Sequence, residues 1–243
     1  MRSLRLALQF LTVFPVRVAG EVAPADLRKS LAWFPVVGLV LGGILGLLQR
    51  HVWAGCPDRL SCLLVVAAGI ALTGCLHLDG LADVADALCA RKDREGRLAV
   101  MKDPRVGAAG AAAIVLAILL RWELLASLGW RPRLLGILLA PAVGRSAMVV
   151  CLRALAPARS EGLAAAWSPA PASAVLLSLI IGIGAPFLVL GAQSGFLATV
   201  GIVMAVSLLL WAAAKAFGGL TGDVCGAAGE IAELAFLGSL LAA

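Results

Sequence analysis

The sequence predicts an all-α membrane protein: a polytopic bundle of about six transmembrane helices with interfacial helices beside them. Three observations predict it. Of the 243 residues, 62% are hydrophobic and 14% charged, against about 45–50% and about 25% in an ordinary soluble domain. The mean hydropathy is +1.02, more apolar surface than a soluble core can hide. The apolar residues are also gathered into stretches of the ~20 residues that a helix needs to cross the hydrocarbon core.

The elements follow in order. The N-terminus, MRSLRLALQFLTVFPVRVAG, is basic and then apolar like a signal peptide. Gln9 and Pro15 interrupt the apolar run and no small-residue cleavage site follows, so it reads as a retained interfacial helix. Six windows then qualify as spans, at roughly 31–49, 60–78, 107–126, 134–152, 172–192 and 195–214. The last two are joined by a short turn near Gln193 to Gly195. The tail from 234 to 243 is apolar but too short to span, and either lies on the surface or packs back on the bundle. With no fixed-period repeat and no stretch long enough for a separate soluble domain, residues 1–243 form a single integral membrane domain.

The net charge of +6 resides in the loops. Membrane topology and anionic head groups explain it before nucleic acid does. Fourteen Lys and Arg fall on the N-terminus, the 91–105 and 153–159 loops and the tail, against five on the 50–59 and 121–133 loops. The positive-inside rule then places both termini in the cytoplasm. All six Trp, at 33, 53, 122, 130, 167 and 211, lie near predicted span ends, as an interfacial belt requires. The six cysteines form no CxxC pair, which argues against a disulfide or zinc framework.

The stretch GCLHLDGLADVADAL, residues 74–88, places Asp79, Asp83 and Asp86 at the cytoplasmic end of the second span. Spacings of four and three put them on one helical face, where like charges repel. A cation therefore belongs against that face, and carboxylates are the hard oxygen ligands that magnesium prefers. The bland alternative is a solvated acidic face neutralised by Arg91, Lys92 and Arg94. A second acidic set, Asp223, Glu230 and Glu233, lies in GGLTGDVCGAAGEIAEL (218–234) after the sixth span. It is expected on the same side of the membrane, converging with the first set on one substrate. His77 reads equally as a histidine bonded inside the bundle or as a substrate contact.

In RKDREGRLAVMKDPRVG (91–107), Lys102 and Arg105 flank Asp103. This is the basic anchor of a helical hairpin, or a clamp on phosphate. Arg145 lies well inside a span and either pairs with a carboxylate or holds substrate. The glycine-rich run 218–229 lacks the spacing of a P-loop.

The stretches GCLHLDGLADVADAL, MKDPRVGAAG and GGLTGDVCGAAGEIAEL together resemble the signature segments of the adenosylcobinamide-GDP ribazoletransferase (cobalamin synthase) family. FLTVFPV and FPVVGLVLGGILG look like the N-terminal part of that family, and the likeness runs from about residue 10 to 237. Cys75, Ala87 and Pro104 depart from the expected pattern without removing a charged position. The resemblance implies transfer of the adenosylcobinamide phosphate from adenosylcobinamide-GDP to α-ribazole or its 5′-phosphate. The products are adenosylcobalamin or its 5′-phosphate, and GMP. It further implies magnesium as cofactor and a place in the bacterial inner membrane, with the site facing the cytoplasm.

Residues and resemblance together nominate His77, Asp79, Asp83 and Asp86 for catalysis, and Asp79, Asp83, Asp86 and Asp223 for the metal. Lys102, Asp103, Arg105, Arg145, Thr221, Asp223 and Glu230 are nominated for substrate. The partners expected are the two substrates and membrane lipid, with no nucleic acid and with homo-oligomerisation left open. Two rivals stand beside this reading: another magnesium-dependent membrane phosphotransferase with a nucleotide-diphosphate donor, and a transporter whose acidic residues form an ion site.

Overall fold

The computed structural model describes residues 1–241. Eleven α-helices are formed by the described residues, with one isolated bridge between Pro157 and Leu220 in place of any strand. The interfacial helix α1 (Arg2–Leu11) has a polar and an apolar face and buries Leu6, Ala7 and Leu11. Helix α2 (Pro24–Ser30) leads through a short 3₁₀ turn into α3 (Phe34–Leu47) and a final π turn, so the first span runs from Pro24 to Val52. A glycine pair, Gly38 and Gly42, lets α3 lie directly on the backbone of α8 (Trp130–Ala154): a side-chain carbon on either would collide with carbonyls of residues 138 and 141.

The second predicted span is broken. Helix α4 (Asp58–Thr73) ends at Gly74 and α5 (Leu76–Cys89) leaves at 89° to it. Gly74 and Cys75 both take left-handed backbone conformations, with φ of 59° and 62°. Cys75 is the one described non-glycine residue with positive φ, a conformation that costs an L-residue about 1–2 kcal/mol. The aspartates therefore lie on a helix of their own instead of on the end of a straight span. Helices α6 (Arg94–Val100) and α7 (Ala108–Ser127) follow.

After α9 (Leu163–Trp167) comes α10 (Ala172–Phe217), too long for one crossing. It is interrupted at Gly191 (φ 75°, ψ −173°), two residues before the predicted turn. A side-chain carbon on Gly195 would lie 2.7 Å from the Phe187 Cα. Along an unbroken helix those residues stand ~12 Å apart, so the chain doubles back and 172–217 is an antiparallel hairpin. Among the described residues, four helices are long and apolar enough to cross a membrane, five if the bent α4–α5 pair is one span. All six predicted windows fall on these helices once α10 is divided at its turn.

The largest departure is the C-terminal helix α11 (Gly222–Ser239). Sequence reading placed 218–234 in a cytoplasmic cluster. Instead α11 returns into the centre of the bundle, with most of its residues buried against α5, α8 and α10. Its end reaches the opposite side, where Leu237 and Leu240 pack over Gly136 next to Leu128 of the α7–α8 connection. The expectation of both termini on one side thus fails for the last described residues. A helix carrying three acids does not look like a span, yet the two deeper ones, Glu230 and Glu233, are matched from inside.

Candidate active site

The bundle has two chemically distinct ends. At one, Arg133 holds Asp58 at 2.9 Å and Arg59 holds Glu123 at 2.6 Å, joining the 50–59 and 121–133 loops. At the other, Arg94 donates to the carbonyls of Phe217 (2.8 Å) and Ala158 (2.6 Å), and Arg159 donates to that of Leu98 (2.6 Å). The loops predicted to share a side are therefore physically tied together. Arg94 does not neutralise the aspartates; it laces loops.

Helix α5 meets the start of α11 at this second end. Gly80 makes the approach possible, since a side-chain carbon there would lie 2.8 Å from the Asp223 carbonyl oxygen. Thr221 caps α11 by accepting the Val224 N–H at 3.2 Å, which directs the first turn toward α5. Asp79 and Asp223 line one cavity, and Asp79, Asp86 and Asp223 all bear electrostatically on Asp83. None of the ion pairs of the described residues uses Asp79, Asp83 or Asp223. Three carboxylates outside every ion pair, with Arg159 bearing on Asp223 only at longer range, are oxygen donors of the kind that magnesium takes. Among the described residues no three His, Cys, Asp or Glu side chains are close enough to hold a metal ion alone. Magnesium commonly uses one or two carboxylates and completes its shell with waters and substrate phosphates, so the arrangement fits it.

Asp86 stands apart from the other two aspartates. Its carboxylate accepts the N–H of Gly107 at 2.7 Å and of Gly110 at 2.8 Å. It thereby caps α7 from a neighbouring helix and meets the positive end of that helix dipole. The countercharge sought for the acidic face is, at this position, a pair of backbone amides.

Asp103 and Arg105 are bound to each other, with Nη2–Oδ2 at 2.7 Å and Nε–Oδ1 at 2.9 Å, while Arg105 itself stays exposed. The guanidinium holds the Asp103 carboxyl down at about 2. Lys102 is exposed and shares an open cleft with Arg159, Glu95, Leu98 and Ala99.

The other nominated residues form a second assembly deep in the bundle. Arg121 of α7 binds Glu230 at 2.7 Å and Glu233 at 3.1 Å. Arg145 of α8 binds Glu233 through Nη1 and reaches the His77 Nδ1 at 3.3 Å through Nη2. Two cations and two anions thus link three helices, and His77 joins α5 to them. Glu230 and Glu233 do not join Asp223: they lie seven and ten residues further along α11, about 10–15 Å deeper. The second acidic set is therefore divided, and Arg145 is an ion-pair partner. Arginine only donates, so Nδ1 of His77 accepts and the ring proton sits on Nε2. Nε2, in turn, has no protein partner.

Sequence reading missed Arg121, which it counted among the loop bases although the residue falls inside the 107–126 window. It also missed Trp167, assigned to the interfacial belt but 5% exposed. There α9 folds inward and Trp167 packs edge-on against Phe10 (centroids 4.4 Å apart) and Phe34 (5.7 Å). Nothing in the spacing of the sequence signals that fold-back.

The family model described as cobalamin-5-phosphate synthase matches residues 3–241. The chain is 40% identical to the adenosylcobinamide-GDP ribazoletransferase of Pseudomonas entomophila, over 96% of this chain and 95% of that protein. It is 38% identical to the enzyme of that name from Deinococcus radiodurans, over 98% and 84%. With the one from Pseudomonas aeruginosa it shares 34% identity over 99% and 98%. No solved structure matches the chain.

Proposed function

The chain belongs to the cobalamin-5-phosphate synthase family, and from that premise we propose that it completes the nucleotide loop of cobalamin. It is an enzyme that transfers the adenosylcobinamide phosphate of adenosylcobinamide-GDP to ribazole, or ribazole 5′-phosphate, and releases GMP. The observation that carries the assignment of the site is the meeting of unpaired Asp79 and Asp83 on α5 with Asp223 on α11.

One or two of Asp79, Asp83 and Asp223 would hold magnesium, with water and substrate phosphate completing its shell. When bound, the ion supplies positive charge to the diphosphate and to the leaving phosphate. The chain's own groups do the rest. The ribazole 3′-hydroxyl oxygen forms a bond to the phosphorus bearing the cobinamide, the bond from that phosphorus to the bridging oxygen breaks, and GMP departs with the electron pair. Such transfers depend on positioning and charge more than on covalent help. The hydroxyl proton goes to an aspartate carboxylate. His77 is unsuited to take it, because its free nitrogen already carries a proton while Arg145 occupies the other. Lys102, exposed on the α6–α7 connection, supplies a mobile positive charge for the phosphates. Thr221 acts by directing Asp223, and Arg145 and Glu230 act by holding α8, α7 and α11 together.

The excess of basic residues at the site end supports an orientation with the site toward the cytoplasm, in the inner membrane. The decisive experiment uses purified protein in detergent or nanodiscs with adenosylcobinamide-GDP, with and without α-ribazole, scored for GMP. GMP release that needs α-ribazole and is abolished by chelator and restored by magnesium is the expected result. CMP from a CDP-linked donor, or substrate uptake into vesicles without nucleotide turnover, would favour the two rivals.

A further inference from the structure

Beside the carboxylates is a cavity of about 90 Å³ that the transfer chemistry leaves unused. Phe10, Phe34 and Trp167 close one side, Leu163 and Met148 add apolar surface, and Asp79 and Asp223 stand with them in its lining. Two residues of this lining each carry a buried polar atom with no partner among the described residues: Nε1 of the Trp167 indole and Nε2 of the His77 imidazole. Trp167 is 5% exposed and His77 3%. Both nitrogens are donors, the first by its chemistry and the second because Arg145 occupies Nδ1. Buried donors left unmet are expensive and call for an acceptor.

We propose that this cavity receives the heteroaromatic base of the acceptor nucleoside, with Trp167 Nε1–H or His77 Nε2–H donating to the single lone pair of its free ring nitrogen. The inference rests on the reaction proposed above and adds the subsite that reads one substrate. Aromatic rings set edge to face, with a methionine thioether beside them, make a favourable surface for a flat ring. The chemistry also selects between the two bases in the reaction. A benzimidazole has one acceptor nitrogen and an otherwise apolar rim, which matches donors in an apolar wall. Guanine presents several donors and acceptors on its edge, most of which would be stranded there. Size adds a constraint. A cavity of about 150 Å³ takes benzene, so a bicyclic base enters by one edge and its sugar stays outside. The sugar hydroxyl then lies next to Asp79 and Asp223, where the transfer takes place.

The test measures α-ribazole binding to the purified protein by calorimetry without the GDP-bearing donor, and then the KM for each substrate. Trp167→Phe keeps the ring and removes the N–H; His77→Leu removes the other donor, and His77→Gln restores an N–H near the same reach. At least one of Trp167→Phe and His77→Leu is expected to weaken α-ribazole binding about tenfold, while the KM for adenosylcobinamide-GDP stays within about twofold. His77→Gln should recover most of the loss, and guanosine should not compete with α-ribazole. A donor KM that is retained shows that each variant is folded. Unchanged α-ribazole binding in both donor-deleting variants, competition by guanosine, or a KM effect confined to the GDP-bearing substrate overturns the proposal. Absence of ribazole-dependent GMP release from the wild-type protein would instead overturn the reaction on which it rests.

Discussion

Helix α11 carries acids in two settings, and the contrast separates structure from chemistry. Glu230 and Glu233, deep in the bundle, are matched by Arg121 and Arg145. Asp223, at the mouth, faces Asp79 and Asp83 and adds to their repulsion. In the first setting the protein supplies both partners of every pair, and the result is a clamp across α7, α8 and α11. In the second it forms no ion pair, with only Arg159 bearing on Asp223 at longer range, and leaves the direct partner to come from outside. The place where a membrane protein declines to neutralise its own charges is the place to look for a ligand.

That comparison breaks most visibly at the clamp. Glu233→Gln strands Arg145 in the interior and should destabilise the protein by about 3–5 kcal/mol, read as loss of the folded fraction in a detergent melt. Replacing both partners, Arg145→Met with Glu233→Leu, should recover much of the loss, because matched apolar groups need no countercharge. If the single variant melts like the wild type, the pair is not a clamp.

Next come the aspartates, where the opposite pattern is expected. Asp79→Asn and Asp83→Asn should each lower turnover by about 10²–10³-fold, with a melt as high as the wild type or higher, since each removes a repulsion. Near-normal magnesium-dependent turnover in both would remove them from the site. Asp86 tests the border between the settings: as a cap on α7, Asp86→Asn should cost about 1 kcal/mol of stability and affect turnover far less than its neighbours do. A loss of turnover equal to that of Asp83→Asn would return Asp86 to the ligand set.

The smallest effect is at the surface. Asp103 is held at about 2, below its usual 3.8, by Arg105. A depressed carboxyl contributes stability above the unfolded value and loses it as pH falls through the folded one. The Asp103–Arg105 contact should thus be constant from neutral pH down to about 4 and disappear between about 4 and 2. An NMR titration of Asp103 that places its midpoint above 4 would show that the contact does not persist in solution.

The windows of apolar residues made five of the six predicted crossings legible, the two of the α10 hairpin among them, because hydropathy over ~20 residues is a strong signal. The convergence of Asp79 with Asp223 could be anticipated from loop charge alone. Three features were hidden for physical reasons. The 89° break needs Cys75 in a left-handed conformation, which no residue-type rule predicts for cysteine. The re-entry of α11 is invisible to hydropathy because its two deeper acids are cancelled by arginines 88 to 112 positions away in sequence. Asp86 looked like its neighbours because helical spacing reports which face a residue occupies, and not which neighbouring helix offers its amides.

The clamp also imposes an order on biogenesis. At the centre of an isolated helix each charged residue opposes membrane insertion by about 2.5–3.5 kcal/mol. Helix α11 is translated after α7 and α8, and only they hold Arg121 and Arg145. A nascent α11 reaching the bilayer alone would be held at its surface, whereas one arriving beside a preassembled α7–α8 pair finds its countercharges already in place. The last described helix is therefore a keystone: the chain can complete its site only after the earlier spans are docked.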